Sequence, residues 1–466
     1  MGNKNFDITI VGSGVSGSFL AQDLARGGMK VLVLEAGFHF GPKTYPKDEL
    51  TANSKLYWGG GVELNTTATL GILRPKTVGG GSVVNQALLD RFDEDALSSW
   101  RDASEVSFLN KDDLDPFYDS ALKDLATQKI PVEHQNGNAR IFASGFQKCN
   151  YKLDVLTRAQ KDCRYHEGNH CINCLAGCPI ESKQSMNITT LKNAEKLGTV
   201  VRAPFRVLKI EEKNEAIEIY GINEFGGAEK IISPQIILAS GAIGNTVLLL
   251  NSGYEKKLPA LGKNFYTHPQ YMMLGVYKEK VNAHLGPLQT YKSNDPSFRK
   301  KGFKLENVFA PPVAISMLLP QMGKEHLHLM EKYTNMACIE VCVRDTNPGT
   351  IKATKAGKPI IQKELNKTDL ERKKDGIETI YNIFHATGAK EIIEGIFPIG
   401  LHLMGGCNIG VDGSRSVVNP DFQLHNSRRI FCADSSIFPN APGINPSFTI
   451  MALSQMAATK ISGKIK

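Results

Sequence analysis

Asp7-Ile8-Thr9-Ile10-Val11-Gly12-Ser13-Gly14-Val15-Ser16-Gly17 opens the chain's first structural unit, and its reading decides the fold. The run Asp7–Val11 is β-branched and apolar, as a buried parallel strand requires. The glycine turn follows at once, and helical periodicity then continues to about Arg26. A second strand, Lys30–Leu34, ends in Glu35, 18 residues after Gly17. Gly12 permits the tight turn, Gly14 lets the backbone approach a pyrophosphate, and Gly17 allows close packing of helix on strand. The helix N-terminus then faces the phosphate charge. Glu35 is placed to accept hydrogen bonds from ribose hydroxyls. Strand, turn, helix, strand and acid in this order predict an ADP-containing cofactor, without choosing between FAD and NAD.

Composition sets wider bounds. The 466 residues suit two to three domain-sized units, and 41% hydrophobic with 22% charged residues is ordinary for a globular protein. The net charge of +8 comes from scattered lysines and short clusters such as Arg299-Lys300-Lys301 and Arg372-Lys373-Lys374. Clusters this short read as solvated faces, so no nucleic-acid partner is expected. An acidic partner protein or an anionic membrane surface fits the charge better. No run of about 18 apolar residues reads as a spanning helix. The first strand begins almost at the start, so no signal peptide is expected and a cytoplasmic location is the default, with export alongside a partner subunit left open.

Three further segments point to one family. Val78-Gly79-Gly80-Gly81-Ser82-Val83-Val84-Asn85 is a glycine-rich stretch ending in Asn85. Ser240-Gly241-Ala242-Ile243-Gly244-Asn245 follows the strand-like run Gln235–Ala239. His402-Leu403-Met404-Gly405-Gly406-Cys407 precedes Ala433-Asp434-Ser435-Ser436 and Gly443-Ile444-Asn445-Pro446-Ser447. Together these resemble the glucose–methanol–choline (GMC) oxidoreductases, with some likeness to fatty-alcohol-oxidase-like and iron–sulfur-containing bacterial members. The resemblance implies FAD rather than NAD, bound non-covalently, because no histidine lies close to the Gly79–Asn85 loop. It implies that Gly81 and Asn85 run along the flavin and that Val207, in the strand Arg202–Ile210, packs on adenine. Asp434 and Pro446 would complete the cofactor contacts.

The same resemblance implies FAD-dependent oxidation of an alcohol to a carbonyl, with hydride passing to flavin N5. His402 is expected as the base, because an imidazole titrates near neutral pH. Asn445 is expected to hold the hydroxyl in place. His268, in Tyr266-Thr267-His268-Pro269, is expected to organise a turn, and His326, His328 and His425 to be surface or packing residues. An NAD-dependent dehydrogenase, a flavin electron-transfer subunit without alcohol chemistry and a non-catalytic binding protein are the rival readings.

Cys163, Cys171, Cys174 and Cys178, followed by Pro179, have the spacing C-x7-C-x2-C-x3-C-P. An iron–sulfur cluster, reduced structural thiols, and zinc or disulfides are the competing readings. A cluster would favour a dehydrogenase feeding a haem protein or another acceptor; its absence would favour an oxidase using oxygen. The apolar run Phe309–Pro320 could line a pocket for a long-chain or sterol alcohol, or be ordinary core. The expected fold is α/β, with a discontinuous Rossmann-like FAD-binding domain (1–100, 185–265 and 400–466). A connecting or lid segment with the cysteine-rich insert (101–184) and a substrate domain of mostly antiparallel sheet with helices (266–399) complete it.

Overall fold

Four distant stretches of chain build the first sheet. In the computed structural model, which describes residues 6–465, its order is Ile430–Cys432, Ile236–Leu238, Ile8–Val11, Val31–Leu34, Val200–Arg202. All four pairings are parallel. Every residue of Ile8–Val11 and Val31–Leu34 is buried, as expected for a sheet covered on both faces. The helix Val15–Arg26 follows the glycine turn and packs against the C-terminal helix Ser447–Ile465, which closes the unit. The fold is thus α/β with a Rossmann-like first domain. The strand expected across 202–210 divides into Val200–Arg202, in this sheet, and Arg206–Glu212, in a separate three-stranded antiparallel sheet.

The second large sheet has nine strands and is antiparallel, apart from the pairing of Ile399–Met404 with Gly71–Ile72. Its centre is the row Ile399–Met404, Tyr266–Val276, Met336–Val343, Phe303–Asn307. Besides Ile399–Met404, which runs past the end of the segment 266–399, two pieces come from outside it. Leu153–Val155, in the connecting segment, forms one edge, and Glu63–Leu64 with Gly71–Ile72 forms the other. The helix Lys367–Thr387 lies against one face so closely that a Cβ on Gly376 would stand 2.2 Å from Val341 Cγ2.

Side chains alternate across this sheet with period two. Tyr271, Met273, Ile339, Val341, Phe303 and Leu305 join Ile380 and Phe384 in a core cluster. Their neighbours Gln270, Met272, Glu306 and Glu340 face a cavity instead. That cavity lies between the two sheets, so the topology presents the glycine turn on one side and a row of strand side chains on the other.

Candidate active site

The cavity measures about 1510 Å³, beyond the roughly 300–1,000 Å³ of a pocket for one small ligand. Glycine turns and a few acidic and polar side chains line one end. Gly12, Gly14, Glu35, Gly81, Asn85, Val207, Asp434 and Pro446 all line it. Of the residues the sequence assigns to the cofactor, Gly17 alone stands apart. A Cβ there would lie 2.0 Å from Gly12 O, so Gly17 serves the packing of helix on turn. A Cβ on Gly14 meets nothing nearer than Gly80 Cα at 3.9 Å and would enter the cavity.

Glu35 is buried, and its carboxylate accepts from Ser13 N (3.0 Å), Ser13 Oγ (2.8 Å) and Gly37 N (2.7 Å). Burial pushes its pKa up against these bonds. Asp434 accepts from Gly241 N (2.6 Å), Asn245 Nδ2 (2.9 Å) and Ser436 N (2.8 Å), tying the second glycine turn to the C-terminal segment. An open glycine cradle ending at a buried acid fits the diphosphate and ribose of a dinucleotide.

The other end holds side chains. His402 sits in the strand Ile399–Met404 at φ +55°, a left-handed conformation costly for a non-glycine residue and characteristic of functional sites. His268 is not in a turn: it is a fully buried member of the strand Tyr266–Val276, held there by pairing to Ile399–Met404. Two hydrogen bonds determine where the imidazole hydrogens lie. His268 Nε2 accepts from Gly443 N at 2.9 Å, so neutral His268 carries its hydrogen on Nδ1. That Nδ1–H points at His402 Nδ1, 3.0 Å away, which leaves the hydrogen of neutral His402 on Nε2. Burial first, then the charge of Lys304, push His402 down to about 3, and burial and His402 hold His268 well below the usual imidazole range. The near-neutral titration expected of His402 is therefore absent in the folded site. His402 presents an N–H donor.

Asn445 is fixed by charged neighbours. Its Oδ1 accepts from Lys304 Nζ at 3.0 Å, which turns Nδ2 toward Glu306 Oε1 at 3.4 Å. Lys304 also pairs with Asp90 (3.0 Å) and Glu306 (2.6 Å), and Lys292 contacts the far oxygen of Asp90. Glu306 and Glu340 join this end without a motif to mark them, and His268 joins it as a strand residue. A signal was present: Phe303-Lys304-Leu305-Glu306-Asn307 and Met336-Ala337-Cys338-Ile339-Glu340-Val341-Cys342-Val343 are strands in which every residue is buried, yet each carries an acid. His268, Cys342 and His402 also offer three ligand atoms within 4.8 Å of one another. Burial keeps the Cys342 thiol protonated, and the two histidines already share a hydrogen, so the geometry is that of a hydrogen-bonded pair.

The cysteine-rich segment borders the same cavity through Ile172, Asn173, Leu175, Ala176, Gly177 and Pro179. Cys163 Sγ accepts from Asn169 Nδ2 (3.2 Å) and Cys178 Sγ from Lys183 N (3.5 Å). The side chains of Cys171 and Cys174, and of His166, lie outside the described residues. The apolar run contributes Phe309, Ala310, Pro311, Pro312, Ala314, Met317 and Leu318 to the lining.

A parallel sheet with a glycine cradle, facing an antiparallel sheet that brings His402 to the cavity where the turn before the C-terminal helix brings Asn445, defines an oxidoreductase with the FAD-binding fold. The chain belongs to the GMC oxidoreductase family, whose N-terminal model matches residues 53–270 and whose C-terminal model matches 346–454. A model of NAD(P)-binding Rossmann-like domains matches residues 10–65. An uncharacterized GMC-type oxidoreductase of Mycobacterium tuberculosis is 26% identical, over 98% of this chain and 76% of its own length. The long-chain-alcohol oxidase FAO4B of Arabidopsis thaliana is 24% identical, over 98% of this chain and 67% of its own. Among solved structures, pyridoxine 4-oxidase from Mesorbium loti superposes with a TM-score of 0.71 at 16% identity, covering 98% of this chain and 99% of its own. An Aspergillus oryzae formate oxidase variant does so with 0.74 at 15%, covering 98% of each. These structural likenesses establish the fold. None of these relatives supports an iron–sulfur cluster. No helix among the described residues is long and apolar enough to cross a membrane.

Proposed function

We propose that the protein binds FAD non-covalently and oxidises an alcohol to a carbonyl compound. The observation that carries this reading is that His402 and Asn445, from separate parts of the chain, line the same cavity as the glycine cradle. Gly12, Gly14 and Glu35 would hold the pyrophosphate and adenosine ribose, Val207 the adenine, and Gly81, Asn85, Asp434 and Pro446 the length of the cofactor toward the ring. Bound there, FAD supplies the hydride acceptor.

The chain's own part is to hold the alcohol. His402 Nε2–H and the second N–H of Asn445 Nδ2 donate to the alcohol oxygen, a pair of fixed dipoles aimed where negative charge grows as the C–H bond breaks. The hydroxyl proton passes to water in the cavity. His268 holds His402 in the donating tautomer, and Lys304 holds Asn445. This reassigns His402 from base to donor while keeping it in contact with the reacting oxygen. The test is anaerobic mixing of the yellow protein with a panel of fatty, sterol, sugar and aromatic alcohols. Bleaching of the flavin by at least one class supports the reading. A protein that holds FAD yet is bleached by none of them would refute it.

A further inference from the structure

Glu306 and Glu340 stand directly opposite each other on neighbouring antiparallel strands. Two like charges in that position oppose folding, and burying them costs more still. Both are nearly fully buried, at 1% and 3% exposure, and both line the cavity. The strain is relieved by a proton: burial, and then the neighbouring Glu306, push Glu340 well above the usual carboxylate range, and the two carboxyls are hydrogen-bonded. A pair of apolar residues would serve the sheet better, so the pair calls for a reason beyond stability.

The accepting positions of Glu306 are occupied. Lys304 (2.6 Å) and Asn445 (3.4 Å) reach Oε1, Gln289 Nε2 reaches Oε2 (2.8 Å), and Glu340 supplies the shared proton. Glu340 gives its one hydrogen to Glu306, and no other donor among the described residues reaches its remaining oxygen. Gln270, 2% exposed, stands across from Cys342 one strand over and also lines the cavity. Its Oε1 has no hydrogen-bond partner. An unsatisfied buried carbonyl is costly, and a ligand that donates to it would recover that cost. The two open groups, Glu340 and Gln270, are both acceptors.

Apolar side chains also line the cavity. Met272, Leu288, Val308, Phe309 and Leu318 are among them, and Met317, 54% exposed, brings the apolar lining out to solvent. We propose that Glu340 and Gln270 form a subsite for a second hydroxyl beside the carbinol carbon, so that the substrate is an apolar chain or ring ending in a vicinal diol rather than a plain long-chain alcohol. This rests on the alcohol chemistry proposed above. The subsite adjoins the reacting position because Asn445 touches Glu306, the partner of Glu340.

The experiment compares 1-octanol with 1,2-octanediol in anaerobic flavin reduction by the holoenzyme. The diol is expected to half-saturate at a concentration at least tenfold lower. Gln270→Leu should raise that concentration for the diol at least tenfold and leave 1-octanol within about twofold, and Glu340→Met should abolish the preference for the diol over 1-octanol. Glu340→Gln should retain the preference, since its amide still donates to Glu306 and keeps the open carbonyl. If Glu340→Met does not fold, Gln270→Leu decides alone. Equal half-saturation by the two alcohols in the native enzyme, or equal losses for both in the variants, overturns the subsite and leaves the alcohol reading standing. Failure of every alcohol to reduce the flavin overturns both.

Discussion

The two ends of the cavity are built from different materials. At the end lined by the glycine turns the sequence is constrained by exclusion: a Cβ on Gly12 or Gly17 would strike backbone, and one on Gly14 would enter the cavity. At the reacting end the contacts are side chains brought together from residues 90, 268, 304, 306, 340, 402 and 445. Steric exclusion makes the first end strict and local. Charge and hydrogen bonding make the second cooperative, because each group's protonation or orientation depends on a neighbour far away in sequence. A substitution at the first end should therefore act abruptly through fold or cofactor loss, and one at the second by degrees through rate, affinity and pH.

The sharpest break in that comparison is inside the glycine turn itself. Gly17→Ala places a Cβ 2.0 Å from Gly12 O, a backbone atom that cannot step aside. Overpacking of this kind costs about 3 kcal/mol or more, and the variant is expected to be insoluble or to melt far below the native protein. Gly14→Val faces open cavity and should fold, melting like the native protein stripped of its cofactor, yet purify colourless. A yellow Gly14→Val protein would mean that the cofactor does not cross this turn.

At the reacting end the largest effect belongs to His402. His402→Ala should keep its flavin spectrum and lose at least about a hundredfold in the rate of flavin reduction, the loss typical of removing one donor at a growing charge. Because His402 stays uncharged down to about pH 3, the native rate should also show no acid limb near pH 6.5. A limb at that pH that disappears in His402→Asn would return the residue to the role of base. That outcome would mean the hydrogen bond from His268 reverses during the reaction.

The same depressed pKa makes a statement about stability. The unfolded chain protonates its histidines near 6.5, whereas folded His402 does so near 3. The unfolded state thus binds the extra proton between these values, and the stability present above pH 6.5 is lost as pH falls toward 3. One such group lowers stability by about 2 kcal/mol between pH 7 and pH 5. Denaturant unfolding at the two pH values should show a smaller pH difference in His402→Asn than in the native protein. An unchanged difference would place His402 in a wetter setting than the cavity end provides.

What the sequence made legible follows the same division. Gly12, Gly14 and Glu35 were readable because a tight turn and a strand-ending acid impose spacings on neighbouring residues. The helix after them is expected to run to about Arg26 and is observed as Val15–Arg26. His402 and Asn445 were found only through resemblance to a family, and their chemistry was read from isolated side chains. His268 reads as a turn residue from its local sequence because its partner lies 134 positions away. Glu306 and Glu340 went unnoticed because an acid in an apolar run ordinarily marks a strand edge, and only the register that sets them opposite each other shows a shared proton. Edges of the second sheet were missed likewise: Leu153–Val155 is three residues long, and its pairing with Tyr291–Ser293 crosses more than a hundred positions.

The smallest effect tests how far neighbours determine what a side chain contributes. Asn445 has its Oδ1 on Lys304 and one N–H turned toward Glu306 at 3.4 Å, which leaves a single N–H for the proposed substrate oxygen. Removing that donor in Asn445→Ala should slow flavin reduction about tenfold, equivalent to about 1.4 kcal/mol. The fold should survive, because Lys304 keeps Asp90 and Glu306 as partners after losing the amide. Asn445→Asp is the more telling change. It keeps the acceptor for Lys304 but sets a third carboxyl against Glu306 and removes the N–H, so it should bind substrate more weakly than Asn445→Ala despite being nearly isosteric. If instead Asn445→Asp matches the native rate, Lys304 alone is enough to organise this end, and the amide's orientation carries no catalytic weight.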